Sequence, residues 1–135
     1  MSSKMFRALA LGMVSASLLA ISADAAPRPG CTLYEHRDFG GAKKHLANGD
    51  DLLMINDPDP SVGTSTAIYR IRYDASWNDV VSSFRVDAGC TLSLWEHVNK
   101  GGARFRSSRS YNYVGSRWND QASEALCHCQ GLPNW

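Results

Sequence analysis

The sequence predicts an all-β domain built as a two-sheet sandwich, because short segments rich in strand-forming residues follow one another between turns. Segments 31–36, 83–86 and 90–97 alternate or are rich in β-branched and aromatic residues, and Gly, Asp and Asn bound them. No strongly periodic helical stretch follows residue 25. Several short strands with turn signals between them are typical of a β-sandwich.

An internal repeat is the second observation that supports this fold class. LYEH followed by FGG returns as LWEH followed by KGG, with Tyr34 and Trp95 in equivalent places 61 residues apart. Each copy closes with a polar loop, WNDVVS from Trp77 and WNDQAS from Trp118, and these loops lie 41 residues apart. The paired glycines after each aromatic residue predict tight hairpins. Two ordered matches indicate that one structural unit is present twice.

The two spacings differ by 20 residues, which predicts an insertion in the first copy. It is placed at about 54–73, where turn-forming Asn, Asp, Pro and Gly are frequent, and 67–73 is expected to form an added strand. The predicted organisation is one domain at 26–135. Its first repeat covers about 31–87 and its second about 90–129.

Residues 1–25 have the composition of an export signal. Lys4 and Arg7 form a basic start, 8–21 is uncharged and mostly apolar, and small residues precede a break after Ala25. The apolar stretch is too short for a membrane span. We therefore expect cleavage there or one residue later, a secreted or periplasmic location, and no transmembrane segment in the mature chain.

The charge balance argues against a nucleic-acid partner. Without the signal, twelve basic and twelve acidic residues are left, so the mature chain is formally neutral. Charge-driven binding to nucleic acid needs a clear basic excess. The one basic bias, Arg104, Arg106, Arg109 and Arg117, is interpreted as solvated strand and loop positions.

Four cysteines predict two disulfides, because an even number in an exported domain of this size is typical of a disulfide framework. Cys127 and Cys129 alternate on one strand, so their side chains point alike and are poorly placed to bond each other. Both pairings that are left tie this strand to Cys31 and Cys90. Zinc is disfavoured because Cys-x-Cys lacks a second close pair.

The doubled hairpin and the doubled Asn-Asp-x-x-Ser loop together resemble the βγ-crystallin family, from about Cys31 to Cys129. Over a shorter stretch, Trp118 to Cys129 is also similar to syncollin. The first resemblance implies two Greek-key motifs packed as a single two-sheet sandwich. It also implies two calcium sites between the motifs, each using oxygens of one loop and a main-chain carbonyl of the other motif.

Calcium takes six to eight oxygen ligands, and these loops are rich in suitable groups. By position in the motif, Asp79 and Ser82 are expected to contribute side-chain oxygens in the first loop, and Asp120 and Ser123 in the second. Main-chain carbonyls complete the shells. The full set of implied positions is Glu35, Asn78, Asp79, Val80, Ser82, Glu96, Asn119, Asp120, Gln121 and Ser123.

Two observations bear on the expectation of two sites. Asn, Asp and Ser favour turns in any protein, since their side chains bond nearby backbone groups. The family motif also ends in a second serine, which is Ser83 in the first loop but Glu124 in the second. Glu124 is expected either to add a ligand or to face water on the next strand.

The sequence favours a non-enzymatic protein. His36 and His97 occupy equivalent repeat positions, which architecture explains better than catalysis, and oxidised cysteines are not nucleophiles. Trp77 and Trp118 are expected to pack in the core. The leading hypothesis is a secreted domain in which calcium is mainly structural.

Two other function classes stay open at this point. A secreted protease inhibitor would use the inserted segment around Pro58-Asp59-Pro60 as a rigid loop. A module that binds a cell-surface glycan, a cell wall or a membrane would use exposed aromatic residues such as Tyr111, Tyr113 and Trp135.

Overall fold

A computed structural model describes Gly12 and residues 28–58 and 69–130. The strands are β1 (Gly30–His36), β2 (Gly40–Ala47), β3 (Asp50–Leu53), β4 (Arg70–Tyr73), β5 (Ser83–Val86), β6 (Cys90–His97), β7 (Gly101–Ser107) and β8 (Glu124–Cys129). Short 3-10 turns lie at Arg37–Phe39 and Ala75–Trp77. The predicted export signal, apart from Gly12, and residues 26–27, 59–68 and 131–135 lie outside the described residues. Within the described part, no helix is long and apolar enough to cross a bilayer.

The strands form two sheets, so the predicted all-β Greek-key sandwich is confirmed. One sheet has the order β2-β1-β5 and the other β4-β3-β8-β6-β7. The first copy sends β3 to the sheet of the second copy, where it pairs antiparallel with β8. In return, Tyr111 of the second copy forms an isolated bridge to Phe84 of β5. The strand expected over 67–73 is seen as β4, which pairs parallel with β3 at the sheet edge.

The core lies between the sheets and is filled by alternate residues of the strands. Its largest fully buried apolar side chains are those of Leu33, Leu46, Leu52, Met54, Val81, Phe84, Leu92 and Leu94. Trp77 and Trp118 are buried at its edge, as expected. Burying such side chains is the main favourable term in folding, at about 1.5–3 kcal/mol each.

Two disulfides close the sandwich, and all four cysteines take part in them. Cys31 bonds Cys127 and thereby joins β1 of one sheet to β8 of the other. Cys90 bonds Cys129, its register partner across β6 and β8. The alternation expected for β8 is observed, because His128 is exposed between two buried cysteines. Removing such a native disulfide typically costs about 2–5 kcal/mol.

The backbone repeats its unusual conformations at equivalent positions of the two copies. Left-handed φ angles occur at Asp38 (56°) and Asn99 (58°), Phe39 (61°) and Lys100 (57°), Gly41 (74°) and Gly102 (71°), and Asp79 (56°) and Asp120 (57°). Because non-glycine residues rarely adopt this region, such matches do not arise from chance. The two copies therefore follow the same path through their hairpins and loops.

The hairpin glycines pack directly against the equivalent histidines. A Cβ on Gly41 would lie 2.7 Å from His36 Cδ2, and one on Gly102 would lie 2.9 Å from His97 Cδ2. Both distances are shorter than van der Waals contact. The histidines thus hold an architectural place, as their repeat positions indicate.

We expect Gly41→Ala to lower the free energy of unfolding more than Gly89→Ala does. Gly89 has a similar φ of 81°, but a Cβ added to it would meet nothing within 4 Å. The Gly89→Ala variant therefore measures only the cost of a left-handed backbone for a non-glycine residue, roughly 1–2 kcal/mol. The additional loss at Gly41 measures the clash with His36 and with Glu35 Cβ, which would lie 3.0 Å away. Urea unfolding of the two oxidised variants compares them. Equal losses would show that the histidine contact is unimportant.

A buried ionic cluster lies on the face of the five-stranded sheet that points away from the core. Asp51 of β3 and Glu124 of β8 are 1% and 0% exposed. Lys100 Nζ lies 2.7 Å from Asp51 Oδ2 and 2.9 Å from Glu124 Oε1. The Lys100 N–H also donates to Glu124 Oε2 at 2.9 Å. One ammonium group therefore compensates two buried carboxylates.

The cluster shifts the pKa of both Asp51 and Lys100. Burial raises the pKa of Asp51 to about 6. The hydrogen bond from Lys100 lowers this pKa, and the negative charge of Glu124 raises it further. For Lys100, burial opposes the charged form, but the hydrogen bonds to Asp51 and Glu124 outweigh it and raise the pKa.

Asp51 is expected to give a pH-dependent stability term of unusual sign. Its carboxyl group keeps a proton in the folded state between about pH 4 and pH 6, where the unfolded chain has lost it. Its contribution to the free energy of unfolding therefore falls as the pH rises through that window. Urea unfolding at intervals from pH 4 to pH 7 should show wild type losing stability relative to Asp51→Asn. A difference that is constant with pH would contradict this.

Candidate functional site

The two Trp-Asn-Asp loops face each other and exchange main-chain hydrogen bonds. The Asp79 N–H donates to the Ala122 carbonyl at 3.0 Å, and the Asp120 N–H donates to the Val81 carbonyl at 3.3 Å. These bonds join equivalent residues in opposite directions. Each aspartate therefore belongs to one copy by sequence and is positioned by the backbone of the other.

Each loop is also tied to the first strand of its own copy. The Ser82 N–H donates to the Tyr34 carbonyl at 3.0 Å, and the Ser123 N–H donates to the Trp95 carbonyl at 2.9 Å. The strand register shifts immediately after these residues, so Glu35 and Glu96 have no partner in the ladder. A bulge of this kind re-aims the local backbone groups.

The side chains of the two bulge glutamates hold the hairpins rather than the loops. Glu35 Oε2 accepts the Ala42 N–H at 3.1 Å, and Glu96 Oε2 accepts the Ala103 N–H at 3.2 Å. One oxygen of each carboxylate is thereby held by its hairpin in the same way in both copies. The main-chain carbonyl, which the bulge re-aims, is the group that the family resemblance assigns to a cation at these positions.

A pocket of about 280 Å³ gathers predicted ligand residues of both copies. It is lined by Glu35, His36, Asp79, Val80, Ser82 and Asp120. Ser82 Oγ lies 3.4 Å from Asp120 Oδ1 and 3.4 Å from the Val80 carbonyl. Asp120 was grouped with Ser123 of its own loop by sequence. The structure brings its carboxylate to the hydroxyl group of the first loop, a crossing that no local sequence signal indicates.

The two loop asparagines orient the carboxylates beside them. Asn78 Nδ2 donates to Asp79 Oδ2 and Asn119 Nδ2 donates to Asp120 Oδ2, both at 3.2 Å. Asp is among the few residues that tolerate the left-handed backbone observed here. The amide thus holds one oxygen of each carboxylate, and the other oxygen of Asp120 lies in the site beside Ser82 Oγ.

The second loop forms a smaller and more positive site. Glu96 and Gln121 line a pocket of about 60 Å³ together with Arg117 and Trp118. In the first loop, the residue at the position equivalent to Arg117 is Ser76. A guanidinium group beside the predicted ligands disfavours a cation there by like-charge repulsion.

Glu124 follows neither of the two expectations made for it, because it is fully buried and points to the ionic cluster. It accepts the Lys100 N–H at 2.9 Å, as Ser83 Oγ accepts the Phe39 N–H at 3.1 Å in the first copy. Glu124 thus performs the structural task of Ser83 with a charged group. That charge needs Lys100, which supplies both the amide and the ammonium group.

Two of the aromatic residues considered for surface binding pack against neighbouring side chains. Tyr111 packs against Phe84 and Phe105 with ring centroids 5.5 and 5.3 Å apart, and Arg37 lies over the Tyr113 ring at 4.0 Å. Trp135 and residues 59–68 of the inserted segment considered for protease inhibition lie outside the described residues. These contacts give Tyr111 and Tyr113 packing roles.

Comparisons with known proteins identify this architecture. No protein-family model matches the chain, and no curated protein matches it. Among solved structures, a double mutant of a βγ-crystallin domain from Clostridium beijerinckii is 25% identical, with a TM-score of 0.54 over 73% of this chain and 96% of that one. A βγ-crystallin domain from Flavobacterium johnsoniae is 21% identical, with a TM-score of 0.56 over 76% of this chain and 98% of that one.

The N-terminal domain of Protein S matches in the same way. It is 16% identical, with a TM-score of 0.56 over 76% of this chain and 99% of that one. All three solved domains are covered almost completely, so this chain contains the whole of their common fold. The chain has the two-sheet Greek-key fold of the βγ-crystallin domains.

Proposed function

We propose that the protein is an exported, non-enzymatic domain that binds calcium at its two facing loops, with calcium in a mainly structural role. The observation that carries this proposal is the pocket in which Asp120 of one loop meets Ser82 of the other. Carboxylate, hydroxyl and carbonyl oxygens converge there from both copies.

The donor set fits a hard cation. Every candidate ligand atom is an oxygen, which is the chemistry that Ca²⁺ requires and that zinc or copper sites do not favour. At 3.4 Å the contact between Ser82 Oγ and Asp120 Oδ1 is longer than the roughly 2.7–2.8 Å of a strong O–H···O bond. Both groups therefore lose little by turning to a cation.

A cation in this pocket would stabilise the fold because its ligands come from both copies. Extracellular modules typically bind calcium with Kd of about 10⁻⁴–10⁻³ M. At ten to a hundred times Kd, binding adds about 1.4–2.7 kcal/mol to the free energy of unfolding per site. Export fits the same picture, since the signal pattern and two disulfides both indicate an oxidising compartment.

We expect the melting temperature of the oxidised protein to rise by several degrees in millimolar calcium relative to EGTA. Asp120→Asn should abolish most of this rise, because it removes the carboxylate charge while keeping the size and backbone preference. Asp38→Asn is the matched control, since Asp38 has the same left-handed φ of 56° but lies outside the pocket. Scanning calorimetry of the three proteins measures the shifts. A calcium-independent wild type would refute the proposal.

The second site should become stronger in Arg117→Ser, which copies the residue of the first loop. The substitution removes one positive charge near the ligands of the second site. Because a solvent-screened repulsion of about 1 kcal/mol is lost, the calcium affinity of this site is expected to rise about fivefold. Calorimetric titration resolves the two sites, and the first should keep its affinity. An unchanged or weaker second site would show that Arg117 does not control it.

A further inference from the structure

A second pocket, of about 320 Å³, lies on the outer face of the five-stranded sheet, away from the calcium loops. Arg104 and Arg106 of β7 line it together with Ser93 and Trp95 of the neighbouring strand, and the lining also includes Tyr69, Lys100 and His128. None of these residues belongs to the proposed calcium site.

Arg104 and Arg106 bring two positive charges to this pocket. They are alternate residues of β7, so both project from the same face, and both are exposed. Among the described residues, neither has a carboxylate within 4.0 Å. The carboxylates of Asp51 and Glu124 are buried and already held by Lys100.

The first copy contains the matching pocket with different chemistry. About 350 Å³ is lined there by Thr32, Tyr34, Lys43 and His45, the residues 61 positions before Ser93, Trp95, Arg104 and Arg106. The cross-strand register is the same, since Tyr34 faces Lys43 as Trp95 faces Arg104. The fold therefore does not require arginine at these two positions.

The matching pocket also differs in that its polar groups bond one another. Thr32 Oγ1 lies 3.1 Å from His45 Nδ1, and His45 Nε2 lies 3.1 Å from the Arg28 carbonyl. In the second copy, Arg106 replaces the histidine and leaves the Ser93 hydroxyl facing the pocket. Within the described part of the chain, the second copy alone thus offers a pair of guanidinium groups beside such a hydroxyl.

We propose that this outer pocket binds an acidic oligosaccharide through Arg104 and Arg106. A guanidinium group presents a planar fork of donors that matches a carboxylate or a sulfate ester. The Thr91 and Ser93 hydroxyls and the His128 imidazole suit the hydroxyl groups of sugar rings. A neutral chain with two local arginines is too weakly basic for general binding to nucleic acid.

The test is calorimetric titration of the mature oxidised protein with three tetrasaccharides, one of uronic acids, one sulfated and one neutral. We expect the uronate, the sulfated sugar or both to bind, the neutral sugar not to, and added salt to weaken binding. Arg104→Gln with Arg106→Gln should lower the affinity at least tenfold. Lys43→Gln with His45→Gln, the matched change in the first copy, should leave it unchanged.

The two acidic probes separate carboxylate from sulfate recognition, and either result supports the pocket. Each variant is checked by its melting temperature, so that misfolding is not taken for loss of a site. Failure of both acidic sugars to bind better than the neutral one would overturn the proposal. Equal losses in the two double variants, or no loss in the arginine variant, would also overturn it.

Discussion

The reciprocal hydrogen bonds between the two loops are the constraint on which the candidate site depends. Asp79 binds the backbone of the second loop and Asp120 that of the first, so neither loop holds its conformation alone. The two copies also cross between the sheets, since β3 pairs with β8 and Tyr111 bridges to Phe84 of β5. A single copy would have the right residues without the pocket, because the carboxylate and the hydroxyl group that meet there belong to different copies.

Features set by local chemistry could be predicted from the sequence, and features set by packing could not. The doubled hairpins and loops indicated the fold class, since left-handed glycines and polar turns act over a few residues. The disulfide partners of Cys31 and Cys90 stayed open because they depend on which strand lies beside β8. Glu124 was misjudged because its partner, Lys100, lies 24 positions away in a different hairpin.

The two copies keep one backbone but differ in charge at equivalent positions. Serine at 76 and 83 in the first copy is replaced by Arg117 and Glu124 in the second. The first copy has the roomier candidate cation pocket, about 280 Å³ against about 60 Å³. In the second copy, Arg117 adds a positive charge beside the loop pocket and Glu124 adds a buried negative one. Duplication thus fixed the framework, and single substitutions separated the chemistry of its halves.

Lys100 connects the buried charges to the surface of the second copy. Removing one partner of a buried ion pair typically costs about 3–5 kcal/mol, and here two carboxylates share a single cation. Without Lys100, which lines the outer pocket, the carboxylates of Asp51 and Glu124 would have no cation within 4.0 Å among the described residues. With it, Lys100, Arg104 and Arg106 oppose two carboxylates, so the pocket keeps one net positive charge. The proposed affinity of this face for anions therefore rests on the same ammonium group that compensates the buried carboxylates of the sheet.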